Sequence, residues 1–292
     1  MEIRVLRYFL AIAREESVSG AAKVLNITQP TLSKQLMDLE EELGTQLFIR
    51  GNRKMVLTDS GKLLRKRAQE IIELVDKSEK ELQNAENNLS GSVSIGSAET
   101  DGMRYIAKIA LKMRREHPAV QYQVYSGNAV DVMEQLDNGL IDFGVVVGNV
   151  DIKKYDAHAL PMVDTWGLLC KKGTPFSENS SIRREEVATL PLICSKQALL
   201  KNELAQWFQR SYENLKIVAT YNLIYNAAIM VEEGMGYALT LDKLVNTTSM
   251  SDLSFVPLEP RIEAPLHFIW KKSQVFSKAG AEFLRTFESF SE

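Results

Sequence analysis

A chain of 292 residues, 45% apolar and 25% charged, suits about two domains and a core that needs no disulfides. Its two cysteines, Cys170 and Cys194, exclude a disulfide scaffold and point to a reducing compartment, and its three histidines lie too far apart for metal-ligand spacing. The net charge of −3 is uneven: residues 1–67 carry 12 basic against 8 acidic side chains and the rest 23 against 30, so only the head suits a polyanion.

Tyr8–Ala13 is short and flanked by Arg7, Arg14, Glu15 and Glu16, unlike a secretory signal, and no apolar run reaches the ~18 residues of a membrane span. A cytoplasmic protein with no membrane contact is expected. Leu6, Phe9, Leu10 and Ala13 recur at helical spacing. Ser17 can cap a second helix through Leu25, with Ala21, Ala22 and Leu25 inward. After Asn26-Ile27, Thr28 caps a third helix that tolerates Pro30 in its first turn. Leu32, Leu36, Leu39 and Leu43 form its apolar stripe, and Gly44 ends it. The opposite face carries Pro30, Lys34 and Met37, flanked by Thr31 and Ser33. Asp38, Glu40, Glu41 and Glu42 would repel phosphate, so only the amino half of this helix suits a groove, helped by its dipole and free N–H groups. Leu47–Arg50 and Met55–Leu57 read as short strands around Gly51-Asn52, with Arg50, Arg53 and Lys54 at the tip. By these residues alone the zone is either a groove reader or a helical domain with solvated polar side chains.

From Thr58 to about Leu89 the pattern is one long helix, roughly 48 Å at ~1.5 Å per residue. Leu64, Ala68, Ile71, Val75, Ser78, Leu82, Ala85 and Leu89 alternate in steps of 4 and 3, the seam of a coiled coil. Such a seam packs either on its own domain or on another helix.

Beyond residue 90, strands are predicted at Ser92–Gly96, Val120–Tyr125 and Phe143–Val147, with helices to Glu116 and over Asn128–Asp137 between them, a mostly parallel βαβαβ unit. A second set follows: strands at Thr165–Cys170, Leu192–Cys194, Lys216–Thr220, Tyr237–Thr240 and Leu266–Trp270, and helices near Lys201–Tyr212, Asn222–Glu233 and Val275–Phe290. Two α/β lobes of this kind enclose a cleft at the carboxyl ends of their strands. Ser97, Thr100, Ser126, Gly127, Asn128, Gly148, Asn149, Ser195, Asn222 and Thr240 stand at strand-to-helix turns. Ser, Thr and Asn there serve either as helix caps or as donors to a small carboxylate. Glu99 is an acidic exception that favours a cationic or amino-acid ligand instead. No nucleophile elbow, H-E-x-x-H, P-loop or G-x-G-x-x-G occurs, and the two thiols read as buried structural groups rather than a redox switch.

Ser17–Leu25 (SVSGAAKVL), Thr28–Leu36 (TQPTLSKQL), Leu39–Gly44 (LEEELG), Leu47–Arg50 (LFIR) and Leu57–Gly61 (LTDSG) together resemble the LysR-type transcriptional regulators. About 60 residues match closely, the rest by length and pattern. Lys34 stands where the family often has arginine, a point charge in place of a planar fork. The resemblance implies a winged helix-turn-helix head over 1–57, a coiled-coil linker helix over 58–89, and a two-lobed α/β effector-binding domain over 90–292, similar to periplasmic binding proteins. Lobe I would span about 90–161 and 268–292, lobe II about 162–267. Gln29, Pro30, Thr31, Ser33 and Lys34 would then meet base edges or nearby phosphates in the major groove, and Arg50 and Arg53 the phosphates or minor groove. Leu64, Ile71, Val75 and Leu82 would join two copies into a homodimer or homotetramer. The implied partners are double-stranded DNA with an interrupted dyad, a small-molecule effector (a carboxylate or amino acid) and RNA polymerase; no cofactor, metal or catalysis is implied. The rival is a small-molecule binding protein or enzyme with an incidental winged-helix head.

Overall fold

A computed structural model describes residues 1–50, 54–83, 89–200, 204–209, 214–272 and 274–291. It divides into two compact units, Met1–Gln83 and Asn84–Glu292. Among the described residues, no helix is long and apolar enough to cross a membrane.

In the first unit, α1 (Ile3–Glu15), α2 (Val18–Val24) and α3 (Gln29–Leu43) enclose one apolar core with the ribbon β1 (Phe48–Arg50) and β2 (Met55–Leu57) and the start of α4 (Asp59–Gln83). Leu6, Phe9, Ile12, Leu32, Leu39 and Leu47 are fully buried there, each contributing about 1.5–3 kcal/mol of transfer free energy. The Ser17 hydroxyl accepts from Gly20 N and caps α2. Thr28 Oγ1 accepts from Thr31 N and caps α3. Gly44 closes α3 at φ 63, where Gly44 N donates to the Glu41 carbonyl and Thr45 N to the Glu40 carbonyl. Leu43, predicted on the buried stripe, is instead exposed at 39%, because the helix leaves the core in its last turn.

The second unit is one ten-stranded mixed sheet with helices around it. Its first half has β3 (Gly91–Ser97) between β4 (Val120–Ser126) and β5 (Phe143–Val147), all parallel, with α5 (Met103–Glu116), α6 (Ala129–Asp137) and the final helix α11 (Lys278–Ser291) packed on them. Its second half has β8 (Leu192–Ser195) between β9 (Ile217–Tyr221) and β10 (Tyr237–Leu241), again parallel. Two antiparallel strands, β6 (Tyr155–Lys171) and β12 (Glu263–Lys271), run through both halves. Each half has its own core, one around Ile106, Phe143, Phe268 and Phe283, the other around Leu168, Leu192, Trp207 and Leu239.

Several boundaries differ from the sequence pattern. The strand predicted from Thr165 begins ten residues earlier, at Tyr155, because Tyr155–Ala159 pair with β12 on the first half. Leu253–Glu259 (β11) and Ile182–Arg183 (β7) are further strands, β11 pairing β6 and β7, and the short helix α7 (Arg184–Val187) follows β7. The passage between halves falls at Val163–Thr165 on β6, opposite Glu263–Pro265 on β12, and Leu266 already pairs with β5 of the first half. Of the helix predicted at Lys201–Tyr212, the described residues show only α9 (Ala205–Phe208); the remainder lies outside them.

The linker helix departs most. Ala68 is fully buried and Leu64 and Ile72 pack beside it in the core of the first unit, so Leu64 is engaged there rather than on an open seam. Leu89 lies beyond α4 and packs in the second unit, while Ala85 is outside the described residues. Among the described side chains of α4, Leu63, Ile71 and Leu74 are the exposed leucines and isoleucine, and the Leu82 side chain lies outside those described.

Candidate functional site

The amino end of α3 forms an exposed edge of the first unit. Gln29, Pro30, Thr31 and Lys34 are exposed and Ser33 half-buried, while Leu32, Leu36 and Leu39 of the same helix lie in the core. A period of 3.6 separates these faces. The Thr28 and Thr31 hydroxyls are 2.8 Å apart, which fixes the orientation of the first turn. Glu40 does not act as a surface charge: its Oε1 accepts from Leu47 N at 2.7 Å and Phe48 N at 3.2 Å and joins α3 to the ribbon. Met55 N donates to the Glu16 carbonyl, and Lys54 Nζ pairs with the Glu16 carboxylate, holding the ribbon against the end of α1. Arg50 lies on β1; Arg53 lies outside the described residues.

In the second unit, α8 (Lys196–Leu200) and α10 (Ile224–Glu232) face α6 across a cleft at the carboxyl ends of β3, β4, β5, β8, β9 and β10. Its cavity holds about 80 Å³. Of the residues proposed from sequence, Glu99, Gly127, Asn128, Ser195, Asn222 and Thr240 line it. Asn128 is nonetheless a committed cap: its Oδ1 accepts from Val130 N at 2.8 Å and Asp131 N at 3.1 Å, and its amide donates to Asp131. Asn222, expected at a helix start, makes no cap for α10.

Four candidates fall elsewhere. Ser97 is buried and donates to the Ala98 carbonyl. Thr100 is buried and donates to Asp164 Oδ2 at 2.5 Å, while accepting from Gly102 N. Ser126 is exposed at the end of the edge strand β4. Gly148 is buried at φ 78, its N–H bound to the Pro265 carbonyl. Neither these four nor Asn149, which is exposed, lines the cavity, because the polar atoms of the first three turn back into local bonds or solvent.

Glu99, singled out in the sequence, and Gln197, which was not, span the cleft. Glu99 Oε2 accepts from Ile224 N, the first residue of α10, at 2.6 Å. In the opposite direction, Gln197 Oε1 accepts from Ala129 N, the first residue of α6, at 3.2 Å. Burial raises the Glu99 pKa above its ordinary value, opposed by the Ile224 hydrogen bond. Trp166, Tyr221 and Leu223 complete much of the apolar wall. Glu99 was visible as an odd charge in the turn, but Gln197 carries no pattern that marks it. Cys170 and Cys194 are buried free thiols, and burial alone pushes Cys194 up to about 12, which suppresses thiolate reactivity.

Residues 3–62 match the family of bacterial regulatory helix-turn-helix proteins, lysR family. Residues 86–291 match the LysR substrate binding domain. The chain is 29% identical over 246 residues to the HTH-type transcriptional activator IlvY of Salmonella typhimurium, covering 82% of each. It is 27% identical over 298 residues to the HTH-type transcriptional regulator BsdA of Bacillus subtilis, covering 98% of this chain and 100% of that one. The crystal structure of CbnR, a LysR family transcriptional regulator, shares the fold over 100% of both chains, with a TM-score of 0.79 at 18% identity. Full-length CbnR in complex with its target DNA matches at a TM-score of 0.74 and 18% identity, over 99% of this chain and 100% of that one. With both domain families matched in sequence, the chain belongs to the LysR family of bacterial transcriptional regulators, not to a family of enzymes.

Proposed function

We propose that the first turn of α3 reads DNA in the major groove and that a small effector in the cleft of the second unit controls this binding. The observation that carries the DNA reading is the division of one helix: Gln29, Pro30, Thr31 and Lys34 exposed, Leu32, Leu36 and Leu39 buried. Gln29, Thr31 and Ser33 offer neutral donors and acceptors for base edges, and Lys34 a single point charge. Arg50 and Arg53, on and beside the ribbon by sequence, supply phosphate or minor-groove contacts. The CbnR structure with its target DNA supports the same use of a similar fold.

The exposed face of α4 at Ile71, with Val75 beside it, pairs with a second copy; Leu82, whose side chain lies outside those described, continues the heptad spacing by sequence. A two-fold pair places two reading turns on an interrupted dyad. Four copies on DNA and contact with RNA polymerase are consistent extensions of this arrangement. Asn128, Ser195, Asn222 and Thr240 border the effector, and the protein works in the cytoplasm.

Titrating the purified chain against the duplex upstream of its own coding sequence, and against a random duplex, over a range of salt tests the reading. Preference for the upstream duplex that survives rising salt is expected; equal binding of both, or none at low salt, refutes it.

A further inference from the structure

The cleft already holds the acceptors that an anionic ligand would bring. Glu99 Oε2 takes Ile224 N at the start of α10, and Gln197 Oε1 takes Ala129 N at the start of α6. Asn128 Oδ1 takes the next two amides of α6. Ser195 Oγ takes Ala198 N at 3.4 Å on α8. The positive helix ends that attract carboxylates are thus met by the protein's own oxygens.

The charge of the wall runs the other way. Among the described residues lining the cavity there is no lysine, arginine or histidine, and the one carboxylate is Glu99. Only one of its two oxygens receives a hydrogen bond from the described residues. A half-buried carboxylate with an open oxygen and no cation among the described lining residues is incompletely compensated, and a ligand carboxylate that brings no cation of its own adds repulsion. A ligand ammonium supplies both missing elements, a positive charge and N–H donors at short range.

Resting on the effector-cleft reading, we propose that the cleft selects a small ligand bearing a protonated amine, an amino acid or simple amine, whose ammonium donates to Glu99. Asn222 remains for the rest of the ligand, against the apolar face of Trp166 and Leu223, while the buried Thr240 hydroxyl is hydrogen-bonded to Tyr221 behind that wall.

Calorimetric titration of the full chain at neutral pH with three probes of similar size tests this: L-alanine, propylamine and propionate. Saturable binding at millimolar concentration is expected for L-alanine and propylamine and not for propionate. Glu99→Gln, which keeps an acceptor for Ile224 N, should weaken the two amines by roughly tenfold or more while the unliganded melting temperature stays close to that of the parent. Glu99→Asp keeps the preference for amine over carboxylate at weaker affinity. Propionate binding as tightly as L-alanine, amine affinity unchanged in Glu99→Gln, or silence from all three probes overturns the proposal. An anionic ligand found in a wider metabolite screen, and lost on Thr240→Trp, would leave the effector cleft standing while rejecting the amine. No ligand of any charge in that screen would reject both.

Discussion

The Glu40 carboxylate lies 2.7 Å from the Leu47 amide and accepts its hydrogen, so an acidic side chain of α3 fixes the ribbon that follows it. Charge alone predicts that removing an acidic group near the interface improves DNA binding. The geometry predicts the opposite. Glu40→Ala leaves two partly buried amides without their acceptor, at a cost of roughly 1–3 kcal/mol, and loosens the ribbon carrying Arg50. Both the denaturation midpoint and the DNA affinity should fall; a gain in affinity at unchanged stability would show that Glu40 acts only by repulsion.

Gly61 makes a second close contact in the same unit. A Cβ there would stand 2.1 Å from the Leu47 carbonyl oxygen and 2.9 Å from Leu57. Backbone cannot yield as a side-chain end does. Gly61→Ala should destabilise the head by about 2 kcal/mol, read as a lower first transition in urea, with the second unit unaffected. An unchanged transition would contradict the packing described.

Ile71 and Val75 separate pairing from folding. Glutamate at both positions should convert the assembled form to monomer, measured as mass by light scattering, while the head stays folded. Leu64→Ala or Ala68→Glu should instead unfold the head, since Leu64 packs on its core and Ala68 is fully buried in it. A retained dimer in the double variant would remove α4 as the pairing element.

Asp164 supplies a pH dependence. Burial raises its pKa to about 6, against an ordinary 3.8, partly offset by the Thr100 hydrogen bond. The native state then binds the proton more tightly than the unfolded chain, so its stabilising effect is complete below about pH 4 and is lost as pH rises through 6. Asp164→Asn keeps an acceptor for Thr100 without the charge. It should melt close to the parent at acid pH and higher than the parent above pH 7, by up to roughly 3 kcal/mol. An offset of equal size at every pH would show that the difference is packing.

Local chemistry made the head legible. Ser17, Thr28 and Gly44 mark helix ends through their own side chains or backbone freedom, and the leucines of α3 carry the helical period directly. The second unit was legible where apolar strands stood between turns, as at Phe143–Val147, which the structure reproduces residue for residue. Tyr155–Ala159 was missed because its exposed residues, Asp156 and His158 among them, hide the pattern of a strand. The cleft was less legible still. Turn chemistry cannot distinguish a Ser or Asn that caps its own helix from one that faces a ligand. Glu99 and Gln197 meet their partners 125 and 68 residues away, which no local pattern encodes.

Fluorescence anisotropy with Gln29→Ala, titrated against the operator and a random duplex at the same salt, tests the central claim most directly. A loss of about 1–3 kcal/mol confined to the operator is predicted, with Arg53→Ala weakening both duplexes alike and flattening the salt dependence. Equal losses on both duplexes for Gln29→Ala, or no loss on either, would contradict base reading by the first turn of α3.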